Sequence, residues 1–233
     1  MSVFRFKEFS IIQDRSAMKV GTDAMLLGAF IESNQKGKCL EIGTGTGVIS
    51  LMMAQRSPEL SITALDIDLE SIQEAIYNFE SSPWSDRIEG VLSDFLEYSN
   101  SQTYDLIVTN PPYFENGLLN ESNRKASSRH EASLPLIDLF KKSSFLLTET
   151  GVFALILPYQ SAAKWIQKAS EINLNCFKEI TIFGKPNLPK RSVLFFSKKE
   201  REKMIIELVI RDVDNSYTEE YKNLTKEFHG VAL

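Results

Sequence analysis

The chain has few of the residues that build metal sites and disulfide frameworks. Among its 233 residues are two cysteines, Cys39 and Cys176, and two histidines, His130 and His229. Both cysteines lie in apolar runs that predict buried strands, and neither histidine stands at metal-ligand spacing from a cysteine. The sequence therefore argues against a disulfide scaffold, a redox Cys-x-x-Cys pair and a bound metal.

Long apolar runs are also missing. The longest, Met25–Ile31 and Val152–Leu157, fall well short of the roughly 20 residues that a membrane-spanning helix needs. The first nine residues carry charges and lack the apolar segment of a secretion signal, so we expect a cytoplasmic protein that does not bind membranes. With 11 glycines, 8 prolines and 43% hydrophobic residues, the composition is typical of a globular protein.

The net charge of −5 is unevenly distributed. From Lys178 to Lys203 there are eight Lys or Arg and three Asp or Glu, a local charge of +5, which leaves −10 on the rest of the chain. An acidic total disfavours general nucleic-acid binding. A segregated basic segment can nevertheless bind an anionic partner on one face.

Helices and strands alternate along most of the chain. From Lys38 onward, short apolar runs are separated by segments of helical periodicity, a pattern typical of a parallel sheet covered on both faces. We therefore predict a doubly wound α/β sheet of about seven strands. Helical periodicity is found in Thr22–Ile31, Val48–Gln55, Leu69–Phe79, Leu136–Leu147, Ala162–Ile172 and Tyr217–Glu227.

The two ends of the chain differ from this central pattern. Phe4–Gln13 alternates loosely as a strand. Phe177–Phe183, Val193–Ser197 and Met204–Ile210 have no helix between them, which predicts antiparallel strands at one sheet edge. We predict one domain over residues 1–233: a strand and helix extension (1–35) followed by a Rossmann-like core with a C-terminal helix (36–233).

A glycine-rich turn follows the first central strand, in the sequence Glu41-Ile42-Gly43-Thr44-Gly45-Thr46-Gly47. Glycines there let the backbone approach a ligand at the carboxyl end of the sheet. The third glycine comes one position too early for a dinucleotide-binding GxGxxG, and no Lys-Ser/Thr pair follows as in a P-loop. Gly43, Gly45 and Gly47 behind Glu41 resemble the cofactor-binding motif I of class I S-adenosylmethionine-dependent methyltransferases.

Acidic residues follow the next two strands. Asp66 comes directly after Ile62–Leu65, where a carboxylate can accept hydrogen bonds from both ribose hydroxyls of a nucleoside. Asp94 and Phe95 follow the next strand. In the methyltransferases that motif I resembles, the acid matching Asp94 holds the adenine amino group, and the adjacent apolar residue packs on the ring.

The most specific motif is Asn110-Pro111-Pro112-Tyr113. It resembles motif IV of methyltransferases that act on a planar nitrogen, a poor nucleophile because its lone pair is shared with a ring or carbonyl. The Asn110 side-chain oxygen and the Pro111 carbonyl could accept both N–H bonds of that nitrogen, and the prolines form a rigid wall without amide donors. Tyr113 could stack on the planar group. The resemblance also implies that Asn110 contacts the cofactor.

The segment Met18–Ala29, MKVGTDAMLLGA, resembles the N-terminal signature of the tRNA (adenine-37) N6-methyltransferase family, which modifies the anticodon loop of a valine tRNA. The resemblance continues through Ser82-Pro83-Trp84, Arg129-His130, Lys185-Pro186 and the C-terminal helix, and so covers essentially the whole chain. It implies S-adenosylmethionine as cofactor, with Thr22 and Asp23 in its site. It also implies a tRNA substrate, no metal and no DNA partner, and we expect a monomer.

Basic residues are expected to contact tRNA phosphates. The candidates are Lys19, Arg124, Lys125, Arg129, Lys185, Lys190 and Arg191. Lys198, Lys199 and Arg201 lie in the same basic segment and could also reach the RNA, although lysines also protect exposed sheet edges. The long polar loop from Pro112 to Ser133 is predicted to form a lid over the site.

Two other functions remain open. A protein glutamine N5-methyltransferase would use the same Asn-Pro-Pro-Tyr motif, but the 40 or so residues before the glycine turn leave no room for the separate helical domain that normally docks its substrate. A non-catalytic RNA-binding protein of the same fold would not need Asn110 and the complete glycine turn, so their presence disfavours it.

Overall fold

The computed structural model describes residues 2–16, 18–99, 101–112 and 135–229. The strands are β1 (Val3–Arg5), β2 (Ser10–Ile12), β3 (Lys36–Ile42), β4 (Glu59–Asp66), β5 (Ile88–Leu92), β6 (Tyr104–Thr109), β7 (Leu147–Pro158), β8 (Asn175–Phe183), β9 (Pro189–Ser197) and β10 (Met204–Val209). The α-helices are α1 (Thr22–Phe30), α2 (Val48–Arg56), α3 (Leu69–Glu80), α4 (Leu136–Leu146), α5 (Tyr159–Ser170) and α6 (Glu219–Thr225). All six predicted helices are present; four of them begin at the predicted residue, and the remaining ends differ by one to three residues.

Eight strands form the main sheet, in the order β10-β8-β9-β7-β6-β3-β4-β5. β3 pairs in parallel with β4 on one side and β6 on the other, and β5 and β7 extend the parallel part outward. This confirms the predicted doubly wound α/β sheet, with eight strands instead of about seven. The carboxyl ends of β4, β3 and β6 lie side by side, so the segments that follow them meet at one edge.

The C-terminal edge of the sheet corrects one prediction. β9 is antiparallel to both β7 and β8, as expected, but β10 pairs with β8 in parallel. Because β9 lies between β7 and β8, both of its edges are already paired. β10 therefore pairs with the outer edge of β8. β10 and β8 both run antiparallel to β9, so they are parallel to each other.

The N-terminal segment predicted as one strand is instead a hairpin. β1 and β2 pair in antiparallel fashion and form a two-stranded sheet of their own. The Phe6 N–H donates to the Phe9 carbonyl at 2.9 Å across a turn that holds Lys7 and Glu8. These two charged residues interrupt the alternation, and the chain reverses where they occur.

Buried side chains cover both faces of the main sheet. On β3, Cys39 belongs to one hydrophobic cluster, together with α1 and α2, whereas Leu40 belongs to a second cluster that includes Phe140 of α4. Cys39 is buried as predicted, but Cys176 is partly exposed. Within the described residues, no helix is long and apolar enough to cross a membrane.

Candidate active site

The glycine-rich turn joins β3 to α2 at the carboxyl edge of the sheet. Gly43, Gly45 and Gly47 all have positive φ angles, of 71°, 56° and 82°, a conformation that side chains with a Cβ rarely adopt. A Cβ on Gly47 would overlap the ring of Phe79. Among the described residues, a Cβ on Gly43 would meet no atom within 4 Å, and one on Gly45 would lie 3.6 Å from Ser16 Oγ. In this part of the chain, the turn therefore has open space beside Gly43, and Ser16 borders that space at Gly45.

Glu41 supports this turn from inside the protein. It is 1% exposed, and its Oε2 accepts hydrogen bonds from the Thr44 hydroxyl at 2.8 Å, from the Ser50 N–H at 3.1 Å and from the Ser50 hydroxyl. Burial raises the pKa of Glu41 to about 7, although these hydrogen bonds oppose the increase. Glu41, which was predicted to contact the cofactor, is therefore enclosed beneath the turn, and its contact with the cofactor stays a prediction.

Asp66 lies at the end of β4, beside the same turn. Its Oδ2 accepts from the Gly45 N–H at 2.8 Å and its Oδ1 from the Asp68 N–H at 2.9 Å. Burial raises the pKa of Asp66, and these two hydrogen bonds lower it. Asp68 caps α3 by accepting from the Ser71 N–H at 2.8 Å. The carboxylate predicted to bind ribose is therefore fixed next to the open side of the glycine turn.

The apolar surface near Asp66 differs from the one expected. Phe95, predicted to pack on an adenine ring, is 4% exposed, and Lys142 Nζ lies 5.3 Å from its ring centre. Ile67 and Leu92 are instead 45% and 52% exposed, and Leu92 pairs with Asp66 in the β4–β5 register. The sequence interpretation missed both, although their positions at strand ends beside a candidate acid were visible.

Asn110 follows β6, on the opposite side of β3 from Asp66. The Thr109 hydroxyl donates to the Ile42 carbonyl at 2.9 Å and so joins the ends of β6 and β3. Asn110 is half-buried, Pro111 is buried and Pro112 is exposed. The glycine turn and the first three residues of the predicted motif IV thus follow neighbouring strands.

Part of the predicted site lies outside the described residues. This applies to the predicted lid and to Tyr113, Arg124, Lys125 and Arg129. Asp94 is described, and it accepts a hydrogen bond from the Leu96 N–H at 2.7 Å in the turn after β5.

Two residues assigned to different partners contact each other. The Nε of Arg191, a predicted RNA contact, lies 2.9 Å from Oδ2 of Asp23, a predicted cofactor contact. Asp23 and Thr22 form the first turn of α1, and Arg191 lies opposite Pro158 at the carboxyl end of β7. The basic hairpin between β8 and β9 is therefore attached to the N-terminal helix.

The basic segment does not form one continuous surface. Lys185 and Lys190 are exposed at the carboxyl edge, whereas Lys198 Nζ donates to the Leu147 carbonyl at the start of β7. Arg201 donates to the Thr150 carbonyl near the same end. The two groups lie at opposite ends of β9, roughly 25 Å apart, and their contact with one folded RNA stays a prediction.

The sequence interpretation also missed two buried polar residues of α3. Glu74 and Asn78 are 4% and 1% exposed, and the Asn78 Nδ2 donates to the Thr46 carbonyl of the glycine turn at 2.9 Å. They stand four residues apart on the face that also carries Ala75 and Phe79. Polar residues on an otherwise apolar helix face were the available signal.

A parallel sheet with a glycine-rich turn after its central strand, and acids after the neighbouring strands, defines a class I methyltransferase fold. A protein described as a predicted O-methyltransferase from Agrobacterium tumefaciens has a similar structure, with a TM-score of 0.70 and 18% identity over 91% of this chain and 98% of that one. The ribosomal protein L11 methylase of Lactobacillus delbrueckii subsp. bulgaricus has a TM-score of 0.54 and 20% identity, over 76% and 77% of the two chains.

Sequence comparison defines the family more closely. The methyltransferase small domain model matches residues 15–132. Two proteins named tRNA1(Val) (adenine(37)-N6)-methyltransferase, from Bacteroides thetaiotaomicron and Trichodesmium erythraeum, are each 40% identical to this chain. The matches cover 97% of this chain, 96% of the first protein and 97% of the second. The chain belongs to this tRNA1(Val) (adenine(37)-N6)-methyltransferase family.

Proposed function

We propose that this protein transfers a methyl group from S-adenosylmethionine to N6 of adenine 37 in the anticodon loop of a valine tRNA. The observation that carries the proposal is the 40% identity over nearly the whole chain to relatives named for that reaction. The Asn-Pro-Pro segment after β6, beside the glycine turn, supports the same chemistry.

The residues around the glycine turn fit the methyl donor. The space beside Gly43 and Gly45 would admit its methionine part, Asp66 would accept from its ribose hydroxyls, and exposed Ile67 and Leu92 would pack on its adenine. When bound, S-adenosylmethionine supplies a methyl group activated by the sulfonium. The protein's own contribution is then positioning and exclusion of water.

Asn110 and Pro111 would act on the nitrogen that receives the methyl group. The Asn110 side-chain oxygen and the Pro111 carbonyl accept its two N–H bonds, and these contacts strengthen as the nitrogen becomes tetrahedral during attack. No general base is required, because the methylated nitrogen carries a positive charge and loses its proton readily. Tyr113 is proposed to stack on the adenine.

The exposed amines at the carboxyl edge are proposed to hold the RNA. Lys19, Lys185 and Lys190 would neutralise phosphates, which provides affinity with little sequence selection. The adenine must leave the loop stack to reach Asn110, a step that costs less in an anticodon loop than in a duplex. We further propose that the chain works as one domain and as a monomer, in the cytoplasm where tRNA is modified.

Incubation with labelled S-adenosylmethionine and total tRNA, followed by nucleoside analysis, tests the proposed function. N6-methyladenosine in a valine tRNA is the expected product. Label found only in protein would favour the glutamine methyltransferase alternative. Binding of S-adenosylhomocysteine and tRNA without any methyl transfer would favour a non-catalytic RNA-binding protein.

A further inference from the structure

One buried carboxylate holds three successive residues of the N-terminal segment. Glu74 Oε2 accepts from the N–H groups of Asp14 and Arg15 at 2.7 and 2.8 Å, and its Oε1 accepts from the Ser16 N–H at 3.0 Å. Successive backbone N–H groups of this kind form a concave site for an anion. Here a side chain of the same protein occupies that site, and these three donors replace the water that a buried carboxylate loses.

One turn further along α3, Asn78 joins the same segment to the glycine turn. Its Oδ1 accepts from the Ile12 N–H, and its Nδ2 donates to the carbonyls of Ile12 and Thr46, all at 2.9 Å. Since Asn78 is 1% exposed, water cannot easily replace these partners. Ile12, just before the segment that Glu74 holds, and Thr46 of the glycine turn are therefore both fixed relative to α3.

The segment held by Glu74 lies against the open side of the glycine turn. Ser16 Oγ would be 3.6 Å from a Cβ placed on Gly45, and it lies 3.4 Å from the Ser71 hydroxyl at the start of α3. Gln13 Oε1 accepts from the Val20 N–H at 2.8 Å, which links the residues just before and just after Asp14–Ser16. The Ser16 side chain, on the segment that Glu74 holds, thus borders the space where a ligand would approach Gly45.

We propose that Glu74 is a positioning residue for the methyl donor: it holds Asp14–Ser16 beside Gly45 and so makes the N-terminal segment one wall of the cofactor site. This inference rests on the proposed function, because it assumes that S-adenosylmethionine occupies the space beside Gly43 and Gly45. Affinity for the cofactor then depends on a carboxylate that does not touch it. A glutamine at this position would direct an NH2 group at backbone N–H donors, which need an acceptor.

The test compares Glu74→Gln with Glu80→Gln, which makes the same chemical change at an exposed position of the same helix. The measurements are S-adenosylhomocysteine affinity by calorimetry, kcat and the KM for S-adenosylmethionine with tRNA, and hydrogen exchange of the amides of residues 14–16. We expect Glu74→Gln to weaken binding and raise the KM about fivefold or more, to speed exchange at these amides, and to keep kcat within about twofold. Glu80→Gln should match the unmodified protein.

The outcomes separate this inference from the proposed function. If the unmodified protein does not bind S-adenosylhomocysteine, the proposed function itself is wrong. If Glu74→Gln binds normally while its amides at residues 14–16 exchange faster, the segment is not a wall of the site and the inference is wrong. Should Glu74→Gln fail to fold, Glu74→Asp keeps the charge on a shorter side chain. We then expect Glu74→Asp to raise the KM for S-adenosylmethionine without lowering kcat, and an unchanged KM would overturn the proposal.

Discussion

Arg191 and Asp23, 168 residues apart in sequence, form an ion pair with an Nε–Oδ2 distance of 2.9 Å. Their side chains are 31% and 24% exposed, so the pair is only partly screened by solvent. It links the start of β9 to the first turn of α1. A change at Arg191 therefore alters the support of the N-terminal helix as well as the charge of the hairpin.

Breaking this ion pair should lower stability modestly. We expect Arg191→Met and Asp23→Asn each to reduce the free energy of unfolding by up to about 1 kcal/mol, with less effect at high salt. The double variant should cost less than the sum of the two single variants, because either substitution alone already breaks the pair. Urea denaturation of all four proteins measures this coupling, and strict additivity would show that the contact contributes nothing.

The lysines of the hairpin offer a cleaner test of RNA binding than Arg191. Lys185→Ala/Lys190→Ala should weaken tRNA binding and lower the slope of log K against log salt by about 0.7 for each lost contact with single-stranded RNA. The matched control is Lys36→Ala/Lys38→Ala, which removes the same charge from exposed positions at the amino edge of the sheet. Equal salt slopes for the two double variants would mean that the hairpin lysines only protect a sheet edge.

Asp66→Ala should weaken cofactor binding more than it slows chemistry. The lost hydrogen bonds to ribose should cost roughly 1–3 kcal/mol, and the Gly45 N–H loses its 2.8 Å partner as well. Calorimetry with S-adenosylhomocysteine measures the effect. Asp86→Ala, at an exposed position after α3, is the control. An affinity equal to that of the control would remove Asp66 from the cofactor site.

Asn110→Ala should have the opposite effect. Cofactor affinity should stay near that of the unmodified protein, while methyl transfer falls by two or more orders of magnitude (on the order of 3 kcal/mol), because the acceptor bond matters most in the transition state. Single-turnover assays at saturating S-adenosylmethionine and tRNA separate this loss from weaker binding. Rates within a few-fold of the unmodified protein would refute the assigned role.

Glu41 should make stability depend on pH. Its pKa rises from 4.5 to about 7 on burial, so between these values the unfolded chain ionises while the folded carboxyl stays protonated. The free energy of unfolding should therefore fall as pH rises through this window, by up to about 1.4 kcal/mol per unit, and level off above it. Glu41→Gln should remove that decline, whereas Glu80→Gln should keep it. A decline that persists in Glu41→Gln would assign it to other groups.

The order of helices and strands was predictable because hydrophobic periodicity and turn residues depend only on short stretches of sequence. The candidate site was predictable in part for a related reason. In a parallel sheet all carboxyl ends share an edge, so the segments after β3, β4 and β6 had to meet wherever those strands paired. Gly45 and Asp66, which the sequence placed in one site, are joined by a hydrogen bond.

What the sequence could not predict depends on the packing of distant segments. The parallel position of β10 follows from which strand edges remain free after β9 has paired. The Arg191–Asp23 contact and the role of Glu74 depend on how the N-terminal segment packs against the core. Phe95 was expected at a ligand because of its place after a strand, but its ring lies in a buried hydrophobic cluster.

The three glycines of the turn meet two separate physical requirements within one short motif. Gly47 has no room for a methyl group because the Phe79 ring occupies that position, whereas the space beside Gly43 is open. Substitution of Gly47 therefore strains the fold whether or not a cofactor is bound. A methyl group on Gly43 would instead take up space that the proposed cofactor needs, and the positive φ of Gly43 favours glycine even without the cofactor.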